Sequence, residues 1–236
     1  PGAGHGDRGL PATVPANAVR WLAVADFRVR VLTLRAPEPR AVALYFGGNG
    51  EDLTAAMWTM QQLVRYGFEV ICAEHPGYGT SEGSPSVTTL LATADAVARD
   101  ARARADELRV PLVVVGSSLG SFCAVHVAAE GRADRLLLRS PPSTLPAAAR
   151  ARFGWLPIGL LLRHGFDNLT PAARVGCPAL VVHGDADVVV PLSAGRDVAA
   201  ALPRGELVVV PGHGHNDLEL GPDGPVGAAL RAFFDR

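Results

Sequence analysis

Short apolar runs alternate along this chain with longer stretches whose apolar positions recur at helical spacing. Residues 41–46, 68–73, 111–115, 135–138, 179–183 and 206–210 each read as a short, almost continuously apolar strand buried on both faces. Between and after them, residues 53–66, 88–108, 118–129, 193–202 and 225–234 read as helices, with Arg and Asp on the outer face of the longest. Strands alternating with helices predict an α/β fold: a mostly parallel sheet covered by helices on both faces. The front of the chain differs. Residues 21–34 read as two strands, and the alternation Phe27-Arg28-Val29-Arg30-Val31 predicts a half-exposed antiparallel edge. Residues 141–176 break the pattern with several prolines and short apolar patches, so they read as an insertion. The expected organisation is a flexible tail over 1–19 and a single domain over 20–236, with no internal repeat.

Composition narrows the functions available. A chain of 236 residues suits one large α/β domain, which can bury roughly 70% of its unfolded surface. The formal net charge is -1, and no basic stripe is interleaved with aromatics, so nucleic acid is not an expected partner. All 22 basic side chains are Arg. The absence of Lys excludes a Walker-type phosphate loop, a Schiff-base lysine and a Ser–Lys dyad. Cys72, Cys123 and Cys177 are scattered, without the spacing of a zinc site or a disulfide framework, and no metal or other cofactor is expected. The Gly/Pro-rich opening lacks the apolar core of a signal peptide, and the run 155–162, interrupted by Pro157 and Gly159, is too short to span a bilayer. The Arg, Ala and Gly bias matches a GC-rich genome, and a cytoplasmic, bacterial protein is the expectation. Contact with a membrane surface stays open, and nothing specifies the oligomeric state.

The candidate chemistry lies at the strand ends. Gly116-Ser117-Ser118-Leu119-Gly120 fits G-x-S-x-G, with a buried strand before it and a helix-like stretch after it. Glycines flank a serine in this way where a sharp turn strains the backbone and brings helix against strand. That singles out Ser118 over Ser117 and Ser121. A serine hydroxyl needs a histidine to take its proton and a carboxylate to orient that histidine, supplied from later loops at the same sheet edge. Two loops qualify. His183-Gly184-Asp185-Ala186-Asp187 follows one strand, and His213-Gly214-His215-Asn216-Asp217 follows the next.

Taken together, GSSLG, HGDADVVVP and GHGHND, with FGGNGED, EHPGYGTSEGSPS and RSPPSTL at matching places, resemble the α/β-hydrolase superfamily. The resemblance covers about residues 29–234 and is nearest to the small-lidded serine esterases, lipases and protein-depalmitoylase-like enzymes. It implies the α/β-hydrolase fold with a short cap insertion at about 141–176, and a Ser118–Asp187–His215 triad. Asp185 is then a turn-forming carboxylate and His213 a site-lining or locally bonded residue. The implied oxyanion hole combines the N–H of Leu119 with that of Asn49. Relatives usually carry His where this chain has Gly47, a departure that loosens the loop, and Glu74 stands where Asp is more usual. Gly48, Tyr78, Trp155, Leu161 and His213 are the candidate pocket residues.

The resemblance implies a serine hydrolase acting on an acyl ester or thioester. Two rival classes stay in view. His213, His215 and Asp217 also form H-x-H-x-D, a spacing found in metal-dependent hydrolases. The fold also occurs in noncatalytic binding proteins. Residues 153–162 are rich in large apolar side chains and read equally as an acyl-binding cap over Ser118 or as additional core.

Overall fold

A sheet of eight strands forms the centre of the molecule, ordered β1-β2-β4-β3-β5-β6-β7-β8. The structure, a computed structural model, describes residues 9–11, 14–144 and 166–236. The strands are β1 (Val19–Val24), β2 (Phe27–Leu34), β3 (Ala41–Phe46), β4 (Phe68–Ala73), β5 (Leu112–Ser117), β6 (Arg135–Arg139), β7 (Ala179–Gly184) and β8 (Gly205–Val210). From β4 to β8 every pairing is parallel, whereas β1 pairs antiparallel with β2, and β2 with β4. The predicted antiparallel hairpin therefore sits at the sheet edge, with β1 outermost. The alternating strand β2 is one place further in. Its Phe27, Val29 and Val31 are buried, while Arg28 faces out and pairs with Glu82.

The helices are α1 (Leu53–Val64), α2 (Val87–Leu108), α3 (Gly120–Ala129), the short α4 (Leu169–Ala172), α5 (Leu192–Ala201) and α6 (Gly227–Phe234). The period-2 geometry of the strands divides the core between the two sheet faces. In β5, Val114 points to the face covered by α2, α3 and α5, whereas Val113 and Val115 point to the face covered by α1 and α6. Because both faces are covered, strands such as FEVICA and ALVVHG are buried along their whole length. Part of the expected tail is ordered on the α1/α6 face: Leu10 and Val14 pack there, and Ala16–Ala18 form a helical turn leading into β1. At the root of the 141–176 insertion, Thr144 bridges Asp167. Among the described residues no helix is long and apolar enough to cross a membrane.

Candidate active site

The strand-to-helix turn after β5 brings Ser118 to the carboxyl edge of the sheet, where open α/β sheets bind ligands. Ser118 has φ +47, a left-handed conformation that costs a non-glycine residue roughly 1–2 kcal/mol. Neighbours over-determine it. The Ser118 N–H donates to the Arg139 carbonyl at 2.9 Å, and the Ser118 carbonyl accepts from the Ser121 N–H at 3.0 Å and from Ser121 Oγ at 2.6 Å. Ser121 in turn accepts from Asn168 Nδ2 at 2.8 Å, and the same amide donates to the Pro142 carbonyl at 2.7 Å. Ser117 accepts from Arg139 Nε at 2.9 Å. Of the three serines, Ser118 alone faces a histidine.

That histidine is His215, whose Nε2 lies 3.0 Å from Ser118 Oγ. Its Nδ1 lies 2.7 Å from Asp187 Oδ2. An ionised carboxylate only accepts, so Nδ1 carries the hydrogen and Nε2 is free to take a proton from the serine. The other Asp187 oxygen, Oδ1, accepts the N–H groups of Val189 at 2.9 Å and Val190 at 2.8 Å. Burial alone would raise the Asp187 pKa. The His183 Nε2–H beside the carboxyl, with the hydrogen bonds from His215 and Val190, overcomes this and holds it well below the usual carboxylate range.

Asp185 has a different role: it accepts the Gly212 N–H at 2.7 Å and ties the β7 loop to the loop that carries His215. His213 Nδ1 lies 2.9 Å from the Pro211 carbonyl, and Asp217 accepts the Gly214 N–H at 2.7 Å. The side chains of the H-x-H-x-D spacing are thus each engaged within their loops or with the Ser118–Asp187 pair. Among the described residues no group of three His, Cys, Asp or Glu side chains is arranged to hold a metal ion.

The loop after β3 lies against the serine. A Cβ on Gly48 would sit 3.7 Å from that of Ser118. Glu51 organises this loop, accepting the Gly48 N–H at 2.6 Å and the buried Tyr45 hydroxyl at 2.8 Å. His75 Nε2 lies 2.9 Å from the Gly47 carbonyl; burial lowers the His75 pKa, so the ring bonds that carbonyl as a neutral donor. Among the described residues, neither the Leu119 N–H nor the Asn49 N–H meets an intramolecular acceptor. The Asn49 side chain is held by the half-buried Tyr78, whose hydroxyl donates to Oδ1 at 2.8 Å. The absence of a side chain at Gly47, which the sequence suggested would loosen the loop, accommodates Glu51: a Cβ there would lie 3.2 Å from its carboxyl. Glu74 likewise has a place. It accepts the Leu53 N–H at 3.2 Å and the Ser81 hydroxyl at 2.8 Å, joining the start of α1 to the following loop. Trp155 and Leu161, the apolar pocket candidates, lie outside the described residues.

Comparison with known proteins fits this arrangement. A family model described as "Serine aminopeptidase, S33" matches residues 37–158, just over half of the chain, and one described as "TAP-like protein" matches residues 167–236. The chain belongs to the α/β-hydrolase superfamily. Within it, the chain is 34% identical over 192 residues to the uncharacterized protein Rv2307c of Mycobacterium tuberculosis, covering 81% of this chain and 68% of that protein. It is 29% identical to the human alpha/beta hydrolase domain-containing protein 17C over 83% of this chain, but spans only 59% of that protein's length. Among solved structures, Est1E of Butyrivibrio proteoclasticus with ferulic acid bound superimposes with a TM-score of 0.71 at 21% identity, covering 91% of this chain and 97% of Est1E. That likeness extends to the fold.

Four residues to which the sequence assigned no role emerge around this site. Glu51 lies in FGGNGED without a role being assigned to it, and Asn168 carries no motif. Arg139 reads as one more Arg at a strand end. His183, at the end of the apolar run VVH, offered a signal: a polar ring where the pattern demands burial.

Proposed function

We propose that this α/β-hydrolase is a serine hydrolase that cleaves a carboxylic ester or thioester through an acyl-enzyme intermediate. The observation that carries the reading is the unbroken chain Asp187–His215–Ser118, with contacts of 2.7 and 3.0 Å. In the first step His215 Nε2 takes the Ser118 hydroxyl proton as Oγ bonds to the acyl carbon. The carbonyl π electrons move onto oxygen, and the N–H groups of Leu119 and Asn49 stabilise that anion. The oxyanion then re-forms the carbonyl, the bond to the alcohol or thiol breaks, and His215 returns its proton to the leaving group. Water, deprotonated by His215, attacks the acyl-enzyme in the same manner and releases the acid and Ser118. Asp187 keeps its charge throughout, orienting the ring and stabilising its cationic form.

Labelling by a fluorophosphonate tests the reading. Wild type reacts and hydrolyses p-nitrophenyl esters, Ser118→Ala does neither, and Ser117→Ala still labels. Persistent labelling of Ser118→Ala overturns the assignment.

The description of the matched family model favours a second reading, an aminopeptidase. Such an enzyme needs a carboxylate to receive the substrate's α-ammonium group. Among the described residues, the loop carboxylates Glu51, Asp185, Asp187 and Asp217 all accept hydrogen bonds from backbone N–H groups near them. That favours an uncharged acyl group. Turnover of aminoacyl p-nitroanilides in preference to p-nitrophenyl esters would reverse the ranking.

A further inference from the structure

We propose that His183 is a second, positioning histidine of this site, fixing the Asp187 carboxylate against His215. The proposal rests on the serine-hydrolase reading for its catalytic consequence. His183 ends β7, and its side chain is fully buried. Its Nε2 lies 3.0 Å from the Val190 carbonyl and 3.4 Å from Asp187 Oδ2, so the hydrogen on Nε2 is aimed at the carbonyl with the carboxylate in electrostatic reach. The opposite nitrogen, Nδ1, is buried with no partner among the described residues. Both contacts of Nε2 are acceptors, which fixes the hydrogen there. The described residues offer Nδ1 no acceptor, so the donor of this ring is Nε2.

Helix α5 locks this ring in place. A Cβ on Gly195 would come within 3.0 Å of His183 Cγ and closer still to Nδ1, so the helix packs directly on the imidazole. The turn that carries the acid is closed from both sides. Asp187 Oδ1 holds the N–H groups of Val189 and Val190, while His183 holds the Val190 carbonyl. The direction of Oδ2 toward His215 follows from these contacts together. The ionisable groups facing His183 are Asp187 and, beyond it, His215. On α5, Arg196 and Asp197 flank Gly195 but are exposed. Asp185, on the same loop, bonds Gly212.

Removing the Nε2–H leaves the Asp187 anion less stabilised and therefore more basic. A more basic carboxylate favours the cationic form of His215, so the proton on His215 is released at higher pH. The test compares wild type with His183→Phe, which keeps a ring and loses the donor, and His183→Gln, whose amide nitrogen is as many bonds from Cβ as Nε2. Expected for Phe is a fall in kcat of about ten- to a hundredfold with KM within about twofold, the loss appropriate to a hydrogen bond serving a charged group. The acid limb of kcat/KM should move up by about half a pH unit, and Gln should recover most of both effects. His215 titration, followed by NMR in histidine-labelled protein, should move with the limb.

A purely structural role predicts lower thermal stability in Phe and Gln alike with an unmoved titration, and that result overturns the proposal. Gly195→Ala, which pushes the ring without deleting the donor, should shift the His215 titration upward. It decides the matter if His183→Phe does not fold, and an unchanged titration in it overturns the proposal. A wild type that neither turns over esters nor takes the serine probe refutes the hydrolase reading, and the His215 titration still decides the role of His183.

Discussion

Substituting Gly120 by Ala tests how closely the nucleophile turn and the oxyanion loop are fitted together. A Cβ at this position would stand 2.5 Å from the Gly47 carbonyl oxygen and closer still to that of Phe46. Ordinary carbon–oxygen contact begins at 3.4 Å, so about 1 Å of separation must be found. Backing α3 away is resisted, because Ser121 binds the Ser118 carbonyl and is itself bound by Asn168. The easier movement is in residues 46–49, which carry the Asn49 N–H. A hydrogen bond of about 2.9 Å lengthened by about 1 Å is no longer a hydrogen bond.

Losing one oxyanion donor costs about a hundred- to a thousandfold in kcat. Overpacking should also lower stability by about 1–3 kcal/mol. In a chain of this size each kcal/mol lowers Tm by about 2–4 °C. The assays are steady-state hydrolysis of p-nitrophenyl acetate, with kcat and KM separated, and a melting curve by circular dichroism. Gly176→Ala is the control, since a Cβ there meets nothing within 4 Å. A Gly120→Ala protein with wild-type kcat would refute the reasoning, whether or not its Tm had fallen, because the strain would then have relaxed without displacing Asn49.

The two carboxylates of the β7 loop should separate cleanly by turnover of the same ester. Asp187→Asn offers His215 an amide that can favour the wrong tautomer and should lose about three to four orders of magnitude in kcat. Asp185→Asn keeps an oxygen to accept the Gly212 N–H, so its loss should be no more than about tenfold. The pH–rate profile checks the electrostatics. Because the Asp187 pKa is lowered in the folded protein, its contribution to stability is present above the unfolded value of about 3.9 and is lost only as pH falls through the lower folded value. Between about pH 4 and 8 the profile of kcat/KM should therefore carry no inflection from Asp187, and its rise with pH belongs to the general base alone. A second inflection near pH 4 in still-folded protein would place the Asp187 titration where the structure does not.

Periodicity made most of the fold legible because an α/β sheet buried on both faces writes its strands as uninterrupted apolar runs, and five of these became β3, β4, β6, β7 and β8 almost residue for residue. Where helix and strand meet, the pattern was weaker. The apolar stretch beginning at Ser118 reads as helix from the serine onward, whereas α3 starts at Gly120 because Ser118 is held at positive φ. Ser118, Asp187 and His215 were named from order, spacing and family pattern, and the structure sets them within hydrogen-bond reach of one another. The residues that hold them were not legible, because Glu51, Glu74 and Asn168 act on backbone groups distant in sequence, or on a loop whose carbonyls and N–H groups leave no trace in residue type. The Asp185–Asp187 distinction lies between the two. Each is an acid in a turn; residue type alone does not separate them, the family pattern names Asp187, and the acceptor geometry shows Asp185 tying a loop while Asp187 faces His215.

Among the described residues, acidic side chains bind backbone donors along much of this sheet edge. The loops at this sheet edge expose backbone N–H groups wherever a strand ends, and any of them in reach of Ser118 would compete to bind a negatively charged oxygen. Glu51 occupies the Gly48 N–H, Asp185 that of Gly212, Asp217 that of Gly214, and Asp187 those of Val189 and Val190. Occupied donors cannot reorient toward a substrate, and each bond stiffens its loop. The N–H groups of Leu119 and Asn49 stand apart from this pattern, flanking the serine from the two sides of the β3–β5 pair. On the proposed mechanism, an oxyanion formed on the acyl carbon bonded to Ser118 would meet two donors that have no intramolecular partner among the described residues. On that same proposal, the acidic side chains occupy the neighbouring backbone donors and leave those of Leu119 and Asn49 to receive the charge.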